Sequence, residues 1–354
     1  MEEGKTAVIY LTAAGKSLAE KLSAGWGEQR ADLVAADPPL SEQVRSLWDD
    51  YNSFVFIMAV GIVVRLAAPL LRNKWDDPAV VAVDERGRFA VSLVGGHWGG
   101  GNDLARQVAA LLGAEPVVTT ATDVQGKPAL DLLAREWMMP PLPRERVKEA
   151  NSALLAGEPV VIYSEWDLRG TGELQGIDLL PLERDSGEPD HGFPVFVTSR
   201  KDEQYARRGL CLCPPSLAAG IGCKRGVDAE EVLHALSCAL ESAGRRRESV
   251  VLLASHKVKD DESGLREAAG RLKIPLAFYD TAVLKEVARR NPHLADSSFV
   301  KKQVGVGGVC ETAALAVVAE GRLILSKTKV GRVTVALAEA GLLWSESGRE
   351  IRRI

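Results

Sequence analysis

The chain has 354 residues, more than one hydrophobic core usually organises, so two or three domains are expected. Apolar residues make up 46% and charged residues 26%, ordinary globular usage that excludes a largely disordered chain. With 44 Lys and Arg against 48 Asp and Glu, the formal net charge is −4, which leaves no positive excess for neutralising many phosphates and excludes a general nucleic-acid binder.

The five cysteines are an odd number spread through a long chain, a pattern of reduced thiols rather than of a secreted disulfide scaffold. Acidic residues precede the first apolar run, unlike the basic start of a signal peptide, so no export signal and a cytoplasmic location are expected. The longest apolar stretch, Ser53 to Leu71, has the length of a membrane span, but Arg65 falls inside it and Pro69 follows. It is read as a buried strand, a turn and a helix start, with no membrane partner.

In chain order, Lys5 to Thr12 reads as a strand, Lys16 to Leu22 as a helix, and Phe54 to Ala59 as a strand buried on both faces, broken by Gly61. Val80 to Val83 and Arg88 to Leu93 are β-rich runs around the Asp84 to Gly87 turn. A glycine-rich loop then leads into a helix from Asn102 to Leu112, stopped by Gly113, before a strand from Val117 to Thr120. Between Ala129 and Phe193 the pattern loosens: a proline cluster at Pro140, Pro141 and Pro143, a helix from Val147 to Ala156, a strand from Val160 to Tyr163, and an aperiodic stretch from Glu165 to His191. Past Cys213-Pro214-Pro215 the alternation of helices and strands returns. The fold class expected is α/β, two α/β sheet domains (1–127 and 216–354) separated by a smaller, looser middle region (128–215).

The densest chemical signal is GGHWGGGNDLA, Gly95 to Ala105, between a strand end and a helix start. Gly95, Gly96, Gly99 and Gly100 let the backbone approach a ligand, Asn102 is placed to cap the helix, and free helix N–H groups attract anions. His97 inside this loop has the side chain best matched to proton transfer near neutral pH. The alternative is a structural turn with a satisfied histidine. Arg65, in GIVVRLAAPL, can hold a carboxylate bidentately or simply face water. GIGCKRG, Gly220 to Gly226, pairs glycines with Lys224 and Arg225 before a helix opened by the capping-box spacing Asp228 and Glu231. It is one residue too long for a dinucleotide fingerprint. Cys211, Cys213 and Cys223 lack a second pair at zinc-ligand spacing, so no metal site is expected. Lys259 lies in a charged turn with Asp261 and Glu262, Glu311 in the first turn of a helix after a third glycine turn, and Lys327 after a strand. Each has a solvated or capping alternative.

Together these segments resemble the cobalamin-biosynthesis CbiG family, the cobalt-precorrin-5A hydrolases of the anaerobic pathway. The resemblance is strongest from Gly61 to Leu71 and from Asp77 to Asp123, and extends through NSALLAGEPVVIYS (Asn151 to Ser164), GIGCKRG, Lys259 to Leu265, GVGGVCETAAL (Gly305 to Leu315) and Lys327 to Glu339. The chain departs from the family pattern at His256 and Lys257, at Trp98 and Gly101, and at Cys310 with the Gly307-Gly308 pair.

The resemblance implies hydrolysis of the ring-A δ-lactone of a cobalt tetrapyrrole, release of acetaldehyde and formation of cobalt-precorrin-5B. Cobalt would arrive with the substrate, so no cofactor of the protein's own is expected; neighbouring enzymes of the pathway are the expected protein partners. His97 is the expected base, Asp103 the group orienting its imidazole, Gly99 to Asn102 the oxyanion donors, and Glu311 a reserve acid or base from a second lobe. Arg65, Lys224, Arg225, Lys259 and Lys327 are the expected partners of the macrocycle's acid groups. Two other functions fit the same turns: an α/β protein binding a sugar phosphate or nucleotide, and a non-catalytic corrinoid carrier or scaffold.

Overall fold

The computed structural model describes residues 5–27, 30–166, 168, 174–182, 192–292, 294, 308–318 and 321–340. Contacts divide the chain into two compact units, Met1–Leu132 and Leu133–Ile354.

The first unit is built on six strands: β1 (Thr6–Tyr10), β2 (Ala31–Ala35), β3 (Ser53–Ile57), β4 (Ala79–Val83), β5 (Phe89–Val94) and β6 (Glu115–Val117). Their order is β2-β1-β3-β4-β5-β6; the first four are parallel, and β5 runs antiparallel to β4. Five helices accompany them: α1 (Ala13–Trp26), α2 (Leu40–Leu47), α3 (Val60–Ala67), α4 (Gly101–Leu112) and α5 (Ala121–Val124). Val8, Val55 and Val81 pack against Ala19 and Leu22 of α1 and Leu104 and Val108 of α4. On the other face, Ile9, Phe54, Phe56 and Val80 meet Val44 of α2 and Val63 and Ala67 of α3. Phe54 and Phe56 have no exposed surface, and each contributes about 1.5–3 kcal/mol of burial. This accounts for the unbroken apolar run of β3, which has helices on both sides. The break expected at Gly61 comes earlier: β3 ends at Ile57, and α3 starts at Val60 with Gly61 inside it. Among the described residues no helix is long and apolar enough to cross a membrane.

The second unit starts within α6 (Leu130–Glu136) and carries two five-stranded sheets. The middle one has the order β7-β11-β10-β8-β9, from β7 (Pro141–Leu142), β8 (Val160–Ser164), β9 (Ile177–Pro181), β10 (Phe193–Val197) and β11 (Leu210–Leu212), with α7 (Arg146–Ala156) and α8 (Glu203–Arg208). The loosely patterned middle region is therefore a small sheet of its own.

The last sheet, β14-β13-β12-β16-β15, consists of β12 (Leu217–Cys223), β13 (Val250–His256), β14 (Leu276–Tyr279), β15 (Arg322–Val330) and β16 (Val333–Glu339). Leu217, Ala219 and Ile221 face α9 (Ala229–Ala243) and α10 (Ser263–Leu272). Ala218 and Ala254 face α11 (Thr281–Arg290) and α12 (Val309–Val317). The predicted capping box opens α9: Asp228 Oδ1 accepts from Glu231 N at 2.8 Å, and Glu231 Oε2 accepts from Asp228 N at 3.3 Å.

Middle and last sheets are tied by a buried carboxylate. Glu339 accepts from Ser199 Oγ at 2.5 Å, Arg245 Nε at 3.3 Å and Arg322 Nη2 at 3.0 Å, while Arg246 N donates to Ser199 O at 2.8 Å. Burial opposes ionisation of Glu339, but these donors outweigh it and hold its pKa below the usual carboxylate value. Glu339→Gln is expected to lower stability by about 1–3 kcal/mol at neutral pH, with the difference shrinking as wild type is acidified through the depressed native pKa. Urea midpoints from pH 7 down to pH 3 check this.

Candidate active site

The glycine loop closes on itself. Gly101 N donates to Gly95 O, Asn102 N to Gly96 O and Gly100 N to His97 O, at 2.9, 2.9 and 3.0 Å. A Cβ on Gly101 would sit 2.6 Å from Val94 O, and one on Gly99 2.9 Å from Gly95 Cα. The glycines thus permit the loop to fold against its own strand, and three of the N–H groups expected to hold an oxyanion are already spent. Gly100, at φ 83°, takes the cap position of α4. Asn102 lies inside the helix and does not cap it. Its side chain accepts from Ser92 Oγ at 2.8 Å and donates to Thr120 Oγ1 and Asp123 Oδ2, each at 3.0 Å.

His97 is 8% exposed, with Nδ1 3.0 Å from Asp131 Oδ1 and Nε2 2.8 Å from Asp123 Oδ2; Thr122 Oγ1 stands 3.2 Å from Nε2. Burial alone would pull the imidazole pKa down, but the Asp131 and Asp123 carboxylates outweigh it and hold it above the ordinary value. An imidazolium donating from both nitrogens has no lone pair to take a proton from water. With a carboxylate at each ring nitrogen, the geometry is that of a clamp rather than of the general base expected from the sequence. The expected orienting role of Asp103 is corrected too. Its carboxylate, 45% exposed, accepts from Arg106 at 3.1 Å, while Asp123 and Asp131 bond the imidazole. Arg106 also donates to Asp123, whose carboxyl is held below its ordinary pKa despite burial.

Thr122, Asp123 and Asp131 are what sequence reasoning missed. Asp123 ends the strongest stretch of family resemblance, but nothing local ties it to a histidine 26 positions earlier.

Strand direction separates the loop from Arg65. Val94, the last residue of β5, pairs with Val80 near the start of β4, so Gly95 to Gly100 lie at the amino edge of the parallel strands. α3 leaves the carboxyl end of β3, and the Arg65 guanidinium reaches back one turn, donating to Gly61 O at 3.1 Å. Arg65 and the glycine loop, expected to share a site, occupy opposite ends of one sheet.

In the second unit the candidates gather at the carboxyl edge, where ligands of open α/β sheets bind. Lys224 and Arg225 follow β12, and Lys259 follows β13. Lys259 Nζ lies 3.1 Å from Glu262 Oε1, Arg225 Nε 3.5 Å from the same oxygen, and Arg225 also pairs with Asp261. Gly226 N donates to Glu262 Oε2 at 3.0 Å. Glu311, 2% exposed in the first turn of α12, accepts from Lys327 N at 3.1 Å. GIGCKRG is not a glycine turn up to Cys223: Gly220 and Gly222 belong to the central strand β12, and the turn comes at Gly226, φ 70°.

Burial pushes the Cys211 and Cys310 thiols up to about 11, away from the thiolate a metal requires. Among the described residues no group of three or more His, Cys, Asp or Glu side chains is placed to hold a metal ion.

Three family descriptions match the chain in order: Cobalamin synthesis G N-terminal over residues 42–123, Cobalamin biosynthesis central region over 128–214, and Cobalamin synthesis G C-terminus over 217–338. The cobalt-precorrin-5A hydrolase of Salmonella typhimurium is 32% identical over 348 residues, 94% of this chain and 97% of that protein. The cobalt-precorrin-5A hydrolase of Priestia megaterium is 30% identical over 320 residues, 88% of this chain and 84% of that protein. A solved cobalamin biosynthesis protein G homolog from Sulfolobus solfataricus is 24% identical, with 95% of this chain and 97% of that one aligned at a TM-score of 0.37. Similarity that runs nearly end to end, through all three matching regions, makes this chain a member of the CbiG family of cobalamin-biosynthesis proteins.

Proposed function

We propose that this protein is a cobalt-precorrin-5A hydrolase that opens the ring-A δ-lactone of its cobalt tetrapyrrole and releases acetaldehyde to give cobalt-precorrin-5B. The observation that carries this reading is 32% identity over 94% of the chain to the Salmonella enzyme of that name. The cobalt is part of the substrate, and hydrolysis calls for no cofactor beyond water. The site of action is the cytoplasm, and neighbouring pathway enzymes are the partners that would hand the substrate on.

Lactone opening needs a group to take the proton of water and fixed charge to hold a polyacidic macrocycle. With His97 clamped, Glu311 is the better base: it is a buried carboxyl group in the first turn of α12, and one oxygen is fixed by the Lys327 amide. Lys224, Arg225, Lys259 and Lys327 supply cations for acetate and propionate groups. Charge on several separate residues suits a ligand whose carboxylates are spread around a ring.

The test is single-turnover acetaldehyde release from cobalt-precorrin-5A. Wild type is expected to release one equivalent, and Glu311→Gln to be slower by about 10²-fold or more with substrate binding retained. Tight binding without acetaldehyde would identify a corrinoid carrier instead. Saturable binding of a sugar phosphate or nucleotide, with no response to the cobalt tetrapyrrole, would identify a phosphate-binding protein.

A further inference from the structure

A surface helix of a globular domain normally turns polar residues outward. α3 does not. Val63 and Ala67 are buried against the sheet, but the outward arc carries Val60, Ile62 and Val64 at 41%, 38% and 49% exposure, with Gly61 and a single charged residue, Arg65. At 3.6 residues per turn, Val60 and Val64 stack on one side of the Gly61–Arg65 row and Ile62 lies on the other, so the guanidinium stands inside an apolar rim. Tyr10 pairs with Ile57, so Leu11, 46% exposed after β1, comes to the same edge as the start of α3.

That edge has a topological property. From β1 the chain passes outward to β2, then returns to β3 on the other side, making β1/β3 the switch point of the parallel strands. Ligands of open α/β sheets bind outside the carboxyl ends at such a point. Among the described residues Arg65 has no carboxylate partner; its hydrogen bond goes to Gly61 O at 3.1 Å. A Cβ on Gly61 would meet only the Arg65 Nη1, at 3.5 Å, so the first turn presents a flat stretch of backbone. The chemistry complementary to this surface is a flat apolar face edged by carboxylates.

We propose that the outward arc of α3, with Leu11, is the surface of the N-terminal unit on which one face of the cobalt tetrapyrrole docks, Arg65 pairing with a peripheral carboxylate. This rests on the proposed hydrolase function for the identity of the occupant and goes beyond it in naming the platform.

The test uses the full-length protein and two ligands: uroporphyrin III, an octacarboxylate tetrapyrrole read by fluorescence, and cobalt-precorrin-5A in the acetaldehyde assay. Val64→Asp and Arg65→Met alter exposed side chains and are expected to keep the wild-type melting temperature. Each should raise the uroporphyrin Kd and the cobalt-precorrin-5A KM about tenfold or more. Val283→Asp, equally exposed on α11, should change neither. Failure of wild type to bind uroporphyrin, or Kd and KM within twofold of wild type in both α3 variants, overturns the proposal. So does a wild-type dimer that Val64→Asp dissociates without changing Kd, because the face then belongs to a second copy. Acetaldehyde release with unaltered KM sinks the platform alone; uroporphyrin binding lost in the α3 variants of a protein that releases no acetaldehyde supports the platform and sinks the hydrolase reading.

Discussion

Replacing His97 with alanine is expected to lower stability by about 3–5 kcal/mol, the usual result of breaking a buried charge pair and stranding its partner. Here the stranded groups are Asp123 and Asp131, bonded to the imidazole at 2.8 and 3.0 Å. The pH dependence separates this from a catalytic role. Because folding raises the His97 pKa, its stabilisation is fully present below the ordinary imidazole value of about 6.5 and is lost as pH rises through the native pKa. Asp123 contributes in the opposite direction: its depressed pKa stabilises above about 3.9, and that contribution fades as pH falls through the native value. Wild-type urea midpoints should therefore be highest between about pH 5 and 6.5 and decline on the alkaline side. In His97→Gln, which fills much of the same space, the alkaline decline should be absent and acetaldehyde release per folded molecule should persist. A His97→Gln protein with wild-type stability and a rate lowered about 10²–10⁴-fold would instead restore the histidine as base.

The clamp also shows where sequence reasoning stops. The alternation of apolar runs with amphipathic segments is a local signal and reveals the two α/β sheets; the Asp228 and Glu231 spacing is likewise local and gives the start of α9. His97 is conspicuous because it interrupts a run of glycines, yet what it does depends on carboxylates 26 and 34 positions away, brought to it only by the packing of α5 and α6 near the loop. Arg65 and the glycine loop are both assigned to the macrocycle by the family resemblance. The antiparallel turn from β4 to β5 sends them to opposite edges, and no composition or spacing reports that reversal. Of the middle sheet, β8 is legible as the apolar run Val160 to Tyr163, whereas β7 and β11 are two and three residues long and carry no readable period.

Gly220→Ala is the other substitution expected to be severe, although it adds one methyl group. Its Cβ would lie 1.8 Å from Cys310 O and 2.7 Å from Ala314 N, both backbone atoms of α12. Neither can rotate away, so the helix must back off from β12. That opens the contacts of Ala218 and Ala254 with Ala313, Ala314 and Val317. A loss of roughly 3 kcal/mol or more is expected, at the upper end of overpacking effects. Two neighbours provide the controls. At Gly222 the added carbon would meet Thr334 Oγ1 at 2.6 Å, a hydroxyl on a side chain with other rotamers, so alanine there should be milder. At Gly226 nothing lies within 4 Å, and the cost is the left-handed backbone at φ 70°, about 1–2 kcal/mol. Urea unfolding of the three variants should rank Gly220→Ala well below the other two. Because Glu311 sits in the first turn of the same helix, Gly220→Ala should also slow acetaldehyde release in molecules that remain folded, whereas Gly226→Ala should leave the position of α12 intact. Equal stability of all three would mean that α12 does not rest on β12 through Gly220, and Glu311 would then lose the support that holds its carboxylate at the Lys327 amide.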